Sequence, residues 1–310
     1  MKPNSFSSRK PIVLLSAIVL CLSAAVFGQT TAISITSCTP TFNADVPGAL
    51  YTVANDLTAT SGNCIDVTAT GVTILLNGAT LTGASQGSGI YIVHNAIGVR
   101  IVGPGTISGF NLGVDDYGRV ALIYDLTLTG NKIGGVRLTA VHGGTVEACP
   151  LISGNGSYGV LLKDTLGSMV LDNPQISANG NGTTGYGIWI QNDAPKTVSE
   201  WNVVARNGLS NEGQAPLQVV GIWVGYNGTV DDCPTVSAPS SQNLILDNVA
   251  VDYSQQIGIG LQCGGASVNT VVGNVADLNG LNDGYDGSTA CGSNNWNGDT
   301  FGTVNQPCVE

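Results

Sequence analysis

The chain has 310 residues, of which 43% are hydrophobic and only 10% charged, with 10 Lys and Arg set against 21 Asp and Glu. A net charge of −11 argues against a nucleic-acid or anionic-membrane partner, because gripping phosphate needs clustered Lys and Arg. Nowhere does the apolar pattern take a helical 3.6 period. It falls instead into short runs of Val, Ile, Leu and Thr parted by Gly, Asn and Asp, the mark of strands and turns.

Residues 1–28 read as a secretory signal: Lys2, Arg9 and Lys10 precede an apolar run from Ile12 to Leu20, and Val26-Phe-Gly28 offers small residues for cleavage before Gln29. The run is too short for a membrane-spanning helix. A lipid anchor on Cys21 is disfavoured by Leu20, where a small residue is needed. The expected mature protein is exported, extracellular or periplasmic, with no membrane insertion. It keeps seven Lys and Arg against 21 Asp and Glu, a net charge of −14. Export permits disulfides, and proximity pairs Cys38 with Cys64, Cys233 with Cys263 and Cys291 with Cys308, leaving Cys149 unpaired. His94 and His142 have no cysteine at zinc-ligand spacing.

Residues 29–70 are expected to form an N-terminal cap and first coil, and 71–293 a repeat. Its signature is a glycine followed by apolar, variable, apolar, seen at Gly89, Gly113, Gly135, Gly159, Gly187, Gly221 and Gly258. Steps of 24, 22, 24, 28, 34 and 37 residues make it one short unit with growing insertions, placed near 192–220 and 225–243. One unit reads Val99-Arg-Ile, Thr106-Ile-Ser-Gly109, then Gly113-Val-Asp-Asp. Three short strands in about 22 to 24 residues close one turn of a parallel β-helix. The predicted fold is therefore all-β, a single-stranded parallel solenoid of about nine coils, closed at its C-terminal end by residues 294–310. The turns at Gly130-Asn131, Gly154-Asn155, Ala178-Asn179-Gly180 and Asn207-Gly208 place residues tolerant of positive φ at matching points. Stacked asparagines there are expected to hydrogen-bond along the axis. Asn155, Asn181 and Asn227 match the glycosylation pattern, which follows here from turn composition.

The phrases Val99-Arg-Ile-Val-Gly-Pro-Gly-Thr-Ile-Ser-Gly-Phe110 and Leu126-Thr-Leu-Thr-Gly-Asn131 resemble right-handed parallel β-helix repeat proteins of the pectate-lyase-like superfamily, especially the carbohydrate-binding and sugar-hydrolase type of domain. The likeness spans roughly residues 48–310 and implies a right-handed β-helix. It implies much less about activity, since that superfamily holds lyases, hydrolases, epimerases and proteins without chemistry. Its polygalacturonases carry Asn-Thr-Asp, Asp-Asp, Gly-His-Gly and Arg-Ile-Lys motifs. This chain has Asp115-Asp116, but His142 stands in Val141-His-Gly-Gly144 and the other two are missing, so no catalytic role is carried over.

Alternation along a strand sorts the faces. The first and third residues after each repeat glycine point inward. The second and fourth point outward, giving Tyr91, Asp115, Arg137, Leu161, Trp189, Trp223 and Gly260 in one column and Val93, Tyr117, Thr139, Lys163, Gln191, Gly225 and Gln262 in the other. Aromatic rings on a rigid sheet suit the C–H faces of sugars, with charged groups between them for hydroxyls or carboxylates. Tyr91, Asp115, Tyr117, Arg137, Lys163, Trp189 and Trp223 are the candidate substrate-binding residues, and a polysaccharide or other glycan is the expected partner. The alternative is that the insertions fold over Trp189 and Trp223 and bury them. Should the protein be an enzyme, a polysaccharide lyase, hydrolase or epimerase, the residues to test are Asp115, Arg137 and Lys163. A passive surface or adhesion protein is the remaining reading.

Asp116 falls at an inward position, where it is either a buried acid of raised pKa or the place where the strand bends away; the bend is the expected account. Near the C-terminus Asp277, Asp283, Asp286 and Asp299 look loosely like a calcium loop, yet no acid falls where such a loop would close. No cofactor is expected, with calcium the only one considered.

Overall fold

The computed structural model of the chain describes residues 32–193, 197–213, 217–226, 239–254 and 256–309. The expected signal segment, Cys21, Asn227 and Cys233, and with Cys233 the third cysteine pairing, lie outside the described residues.

Among the described residues all strand pairings are parallel, and three long sheets wind up one solenoid, with two two-stranded sheets beside them. Sheet 1 has eleven strands, from Ile33–Ile35 to Asn295–Asn297. Sheet 2 has ten: Phe42–Ala44, Ile65–Val67, Ser88–Ile92, Leu112–Asp116, Gly134–Thr139, Tyr158–Lys163, Tyr186–Gln191, Val220–Val224, Ile257–Leu261 and Asn282–Asp286. Sheet 3 has six, from Leu57–Thr58 to Ile176–Ser177. The ten strands give about ten turns, close to the expected nine; seven carry a signature glycine, and those at 42–44, 65–67 and 282–286 do not. Strand pairing begins at Ile33 and continues through Thr300–Phe301, so the segments assigned as caps already contribute to the sheets.

The repeat glycine has a specific cause. At Gly89, Gly113, Gly135, Gly159, Gly187 and Gly221 a Cβ would stand 2.5–2.7 Å from the carbonyl oxygen of the repeat glycine one coil on, and would also meet the aliphatic side chain of the adjoining corner. None of these glycines has positive φ. They are needed for close approach of successive backbones, not for a left-handed turn. At Gly258 the facing oxygen belongs to Asp283. No repeat glycine follows there, and the Asp283 carboxylate accepts hydrogen bonds from Thr303 and Asn279, tying down the C-terminal segment.

Inside, the first and third residues after each glycine are fully buried, from Ile90 and Ile92 to Ile259 and Leu261. They pack with Ile101, Ile123, Val146, Val170, Val204, Ile245 and Val271 of sheet 1 into one apolar cylinder. Three asparagine ladders line its corners. In each, an amide oxygen accepts the backbone N–H of the coil below: Asn131, Asn155 and Asn179 in one; Asn173, Asn207, Asn248 and Asn274 in the second; Asn202, Asn243, Asn269 and Asn294 in the third. Asn207 thus joins a different ladder from Asn131. These ladders satisfy backbone groups buried at every corner. The residue before each ladder asparagine is often left-handed: Gly130, Gly154 and Ala178 in the first ladder, Asp172 and Arg206 in the second. The disulfides Cys38–Cys64 and Cys291–Cys308 form as expected, and Cys149 is buried and free, its thiol pushed up to about 12 by burial.

Candidate functional site

The outer face of sheet 2 carries two different surfaces. Toward the C-terminal coils, Trp189 and Trp223 are 8% and 1% exposed and pack with Leu112, Tyr158, Leu161, Val219, Val220 and Ile257 into a second, smaller core. Tyr186 lies 4.4 Å from Trp189 by ring centroids, and Trp223 stacks on Tyr285 at 6.4 Å. The indole N–H of Trp189 donates to the Gly225 carbonyl at 3.3 Å. Of the two readings of these tryptophans, contact with ligand and burial beneath the insertions, burial holds and the ligand-contact assignment is corrected: they fill a core outside the solenoid, with Val219 and Val220 from the first insertion packed against them. Burial of this much apolar ring area is worth several kcal/mol, so the rings stay covered.

Toward the N-terminal coils the face is less covered, with Asp66, Tyr91, Tyr117 and Arg137 half-buried. Register puts Asp66, Tyr91, Asp115, Arg137 and Leu161 in one column. The side chain of Arg137 reaches back to Asp115, donating through Nε and Nη2 to the two carboxylate oxygens at 2.8 Å each. Nη2 also donates to the Tyr117 hydroxyl at 3.1 Å, and the guanidinium lies 5.6 Å from the Tyr117 ring centre. Burial works against the Arg137 charge, but the Asp115 carboxylate outweighs it and holds the guanidinium above its ordinary range. Tyr117 and Tyr91 stand 5.8 Å apart with tilted rings. Burial, and then the Asp115 charge, raises the Tyr91 hydroxyl. Lys163, one coil beyond Arg137, pairs with Asp193 at 2.6 Å.

Sequence reasoning missed Tyr158 and Asp193. Tyr158 stands immediately before a repeat glycine, and its ring covers Gly134, where a Cβ would collide with it. Burial raises its hydroxyl, opposed by the nearby Arg137 charge. Tyr186 shares the Tyr-Gly spacing, and that recurrence was the available signal.

Asp115 is reached from outside only at its edge, being 5% exposed. The bend expected at Asp116 does not occur. The strand stays in register through Asp116, opposite Ile92 and Leu138, and the carboxyl is buried inside the solenoid. One oxygen accepts from the Gly118 N–H at 2.7 Å while the other has no partner; burial pushes the carboxyl up to about 6. The two acids therefore face opposite sides of one sheet and cannot flank a glycosidic bond. The C-terminal acids serve as hydrogen-bond caps: Asp286 accepts from Trp296, Asn294 and Ser288, and Asp299 ends the second asparagine ladder by accepting from Asn274. Among the described residues, no group of three or more His, Cys, Asp and Glu is placed to hold a metal ion.

Residues 108–305 match the family described as right handed beta helix region. The chain belongs to this right-handed β-helix family. No curated protein matches it. Among solved structures it is similar to Geobacillus virus E2 ORF18 at 12% identity, covering 78% of this chain and 56% of that one, with a TM-score of 0.23. The β-helix thus spans little more than half the length of that protein, and nothing about activity is taken from the likeness.

Proposed function

We propose that this β-helix is an exported protein that binds neutral polysaccharide on the less covered half of the outer face of sheet 2. The observation that carries the reading is the pair Tyr91 and Tyr117, with rings 5.8 Å apart on a rigid parallel sheet, beside a guanidinium and a carboxylate that neutralise each other. Sugar rings present C–H faces to aromatic rings and hydroxyls to polar groups, and preset side chains lower the ordering cost of binding. Arg137 and Lys163 each have a carboxylate partner, which favours uncharged hydroxyls over uronate groups. Two disulfides fit an oxidising compartment. Among the described residues no helix is long and apolar enough to cross a membrane.

Affinity electrophoresis against a panel of neutral glucans, mannans, xylans and galactans tests this. At least one polymer should retard the wild type, and Tyr91→Ala/Tyr117→Ala should weaken that binding by about tenfold or more, the equivalent of about 1.4 kcal/mol. Retardation by no polymer removes the proposal.

A further inference from the structure

We infer that Trp201 is a second glycan-stacking platform, on a corner of the solenoid flanking sheet 1. This inference rests on the glycan-binding reading above. Of the four tryptophans, Trp189, Trp223 and Trp296 are buried and Trp201 is 58% exposed. Its backbone is left-handed, φ 55°. Bulky residues pay strain for that conformation, and such strain persists where the surroundings over-determine it.

The surroundings here do so. Trp201 precedes Asn202, which is fully buried in the third asparagine ladder, donating to Asn243 and accepting from Ser168 and Thr165. In register with Trp201 along this corner stand Gly98, Val120, Gly143, Gly167, Gln242 and Val268, all with positive φ. Three of these seven positions are glycine and the other four carry side chains at the same strained φ; a Cβ at Gly98 or Gly167 would meet nothing. Trp201 thus shares the column's backbone strain while leaving more than half of its surface in water.

The ring is nonetheless held. Its Nε1 donates to Oε1 of Gln242 on the next coil, leaving the NH2 of that amide as a donor beside the indole. Glu200, the residue before Trp201, accepts from the Ser241 hydroxyl at 2.7 Å, supplying a carboxylate on the same corner. An exposed aromatic ring with an amide and a carboxylate on the same corner matches a pyranose, which offers a C–H face rimmed by hydroxyls. The ring's immediate axial neighbours are Gly167 and the Gln242 amide, with Val268 two coils on, so its near rim is polar and not the apolar one a protein hot spot needs.

The test uses the mature chain and whichever neutral polymer of the panel retards it. Trp201→Ala should weaken binding about tenfold while Trp201→Tyr stays within about threefold of wild type. The polymer should shield the wild type from acrylamide quenching, since Trp201 supplies the accessible emission. Trp201→Gly separates fold from function: the unfolding midpoint should hold or rise while binding falls. If Trp201→Ala binds like wild type while Tyr91→Ala/Tyr117→Ala does not, the Trp201 site is wrong and the sheet 2 site stands. If no polymer binds, both are wrong. If Trp201→Ala instead abolishes self-association in sedimentation with glycan binding intact, the corner is a protein contact and the inference is overturned. A fall in the Trp201→Gly midpoint also overturns it, by making the ring structural.

Discussion

Asp116 occupies a column that reads Ile92, Leu138, Leu162, Ile190, Val224 and Leu261 in other coils. A carboxyl here is tolerated because one oxygen meets the Gly118 N–H. The second oxygen goes unpaired, so the neutral acid fits better than the anion. With the folded value raised from 3.8 to about 6, folding favours the protonated form. Its contribution is fully present below the unfolded value and is lost as pH rises from about 4 to about 6. A rise of that size corresponds to about 3 kcal/mol. Urea unfolding of the wild type should therefore show falling stability across that window. Asp116→Asn keeps an acceptor for Gly118 and should remove most of the slope, leaving the same-direction contributions of Asp252 and Asp299, both raised by burial. An unchanged slope in Asp116→Asn would place the effect elsewhere.

The strand with its preceding glycine is the element on which the solenoid depends, and its demands can be separated by substitution. In Gly159→Ala the new methyl would stand 2.6 Å from the Gly187 carbonyl oxygen and 2.7 Å from Ile176 Cγ2, an overpacking against backbone expected to cost about 2–3 kcal/mol. In Gly130→Ala the methyl meets nothing and only the left-handed φ of 63° is strained, costing about 1–2 kcal/mol. Chemical denaturation of the two should rank them in that order; a milder Gly159→Ala would mean successive coils can spread. The glycine spacing made the solenoid legible because close approach leaves its mark at every coil. Inward and outward positions were legible too, since alternation is local. Whether Trp189 and Trp223 are covered could not be decided from the sequence, because it depends on where Val219, Val220 and Gly225 return after long insertions. Trp201 was invisible for another reason: its corner column holds Gly, Val, Trp and Gln, united by backbone conformation and not by residue type.

Charge acts over the whole solenoid. Residues 29–310 carry seven Lys and Arg against 21 Asp and Glu, and Arg137, Lys163 and Arg206 are each paired with an aspartate. The outer face of sheet 2 thus has little free positive charge to offer a uronate polymer, and the surrounding field repels one. Such repulsion between exposed charges is screened over about 10 Å at 0.1 M salt and about 3 Å at 1 M. One galacturonan compared in methyl-esterified and de-esterified forms isolates this effect, because the sugar backbone is unchanged. At low ionic strength the de-esterified form should bind about tenfold more weakly, and the gap should narrow as salt rises toward about 1 M. Stronger retention of the de-esterified form would mean that Arg137 or Lys163 exchanges its aspartate for a substrate carboxylate. In that case glycan binding would stand while the preference for neutral chains would be wrong.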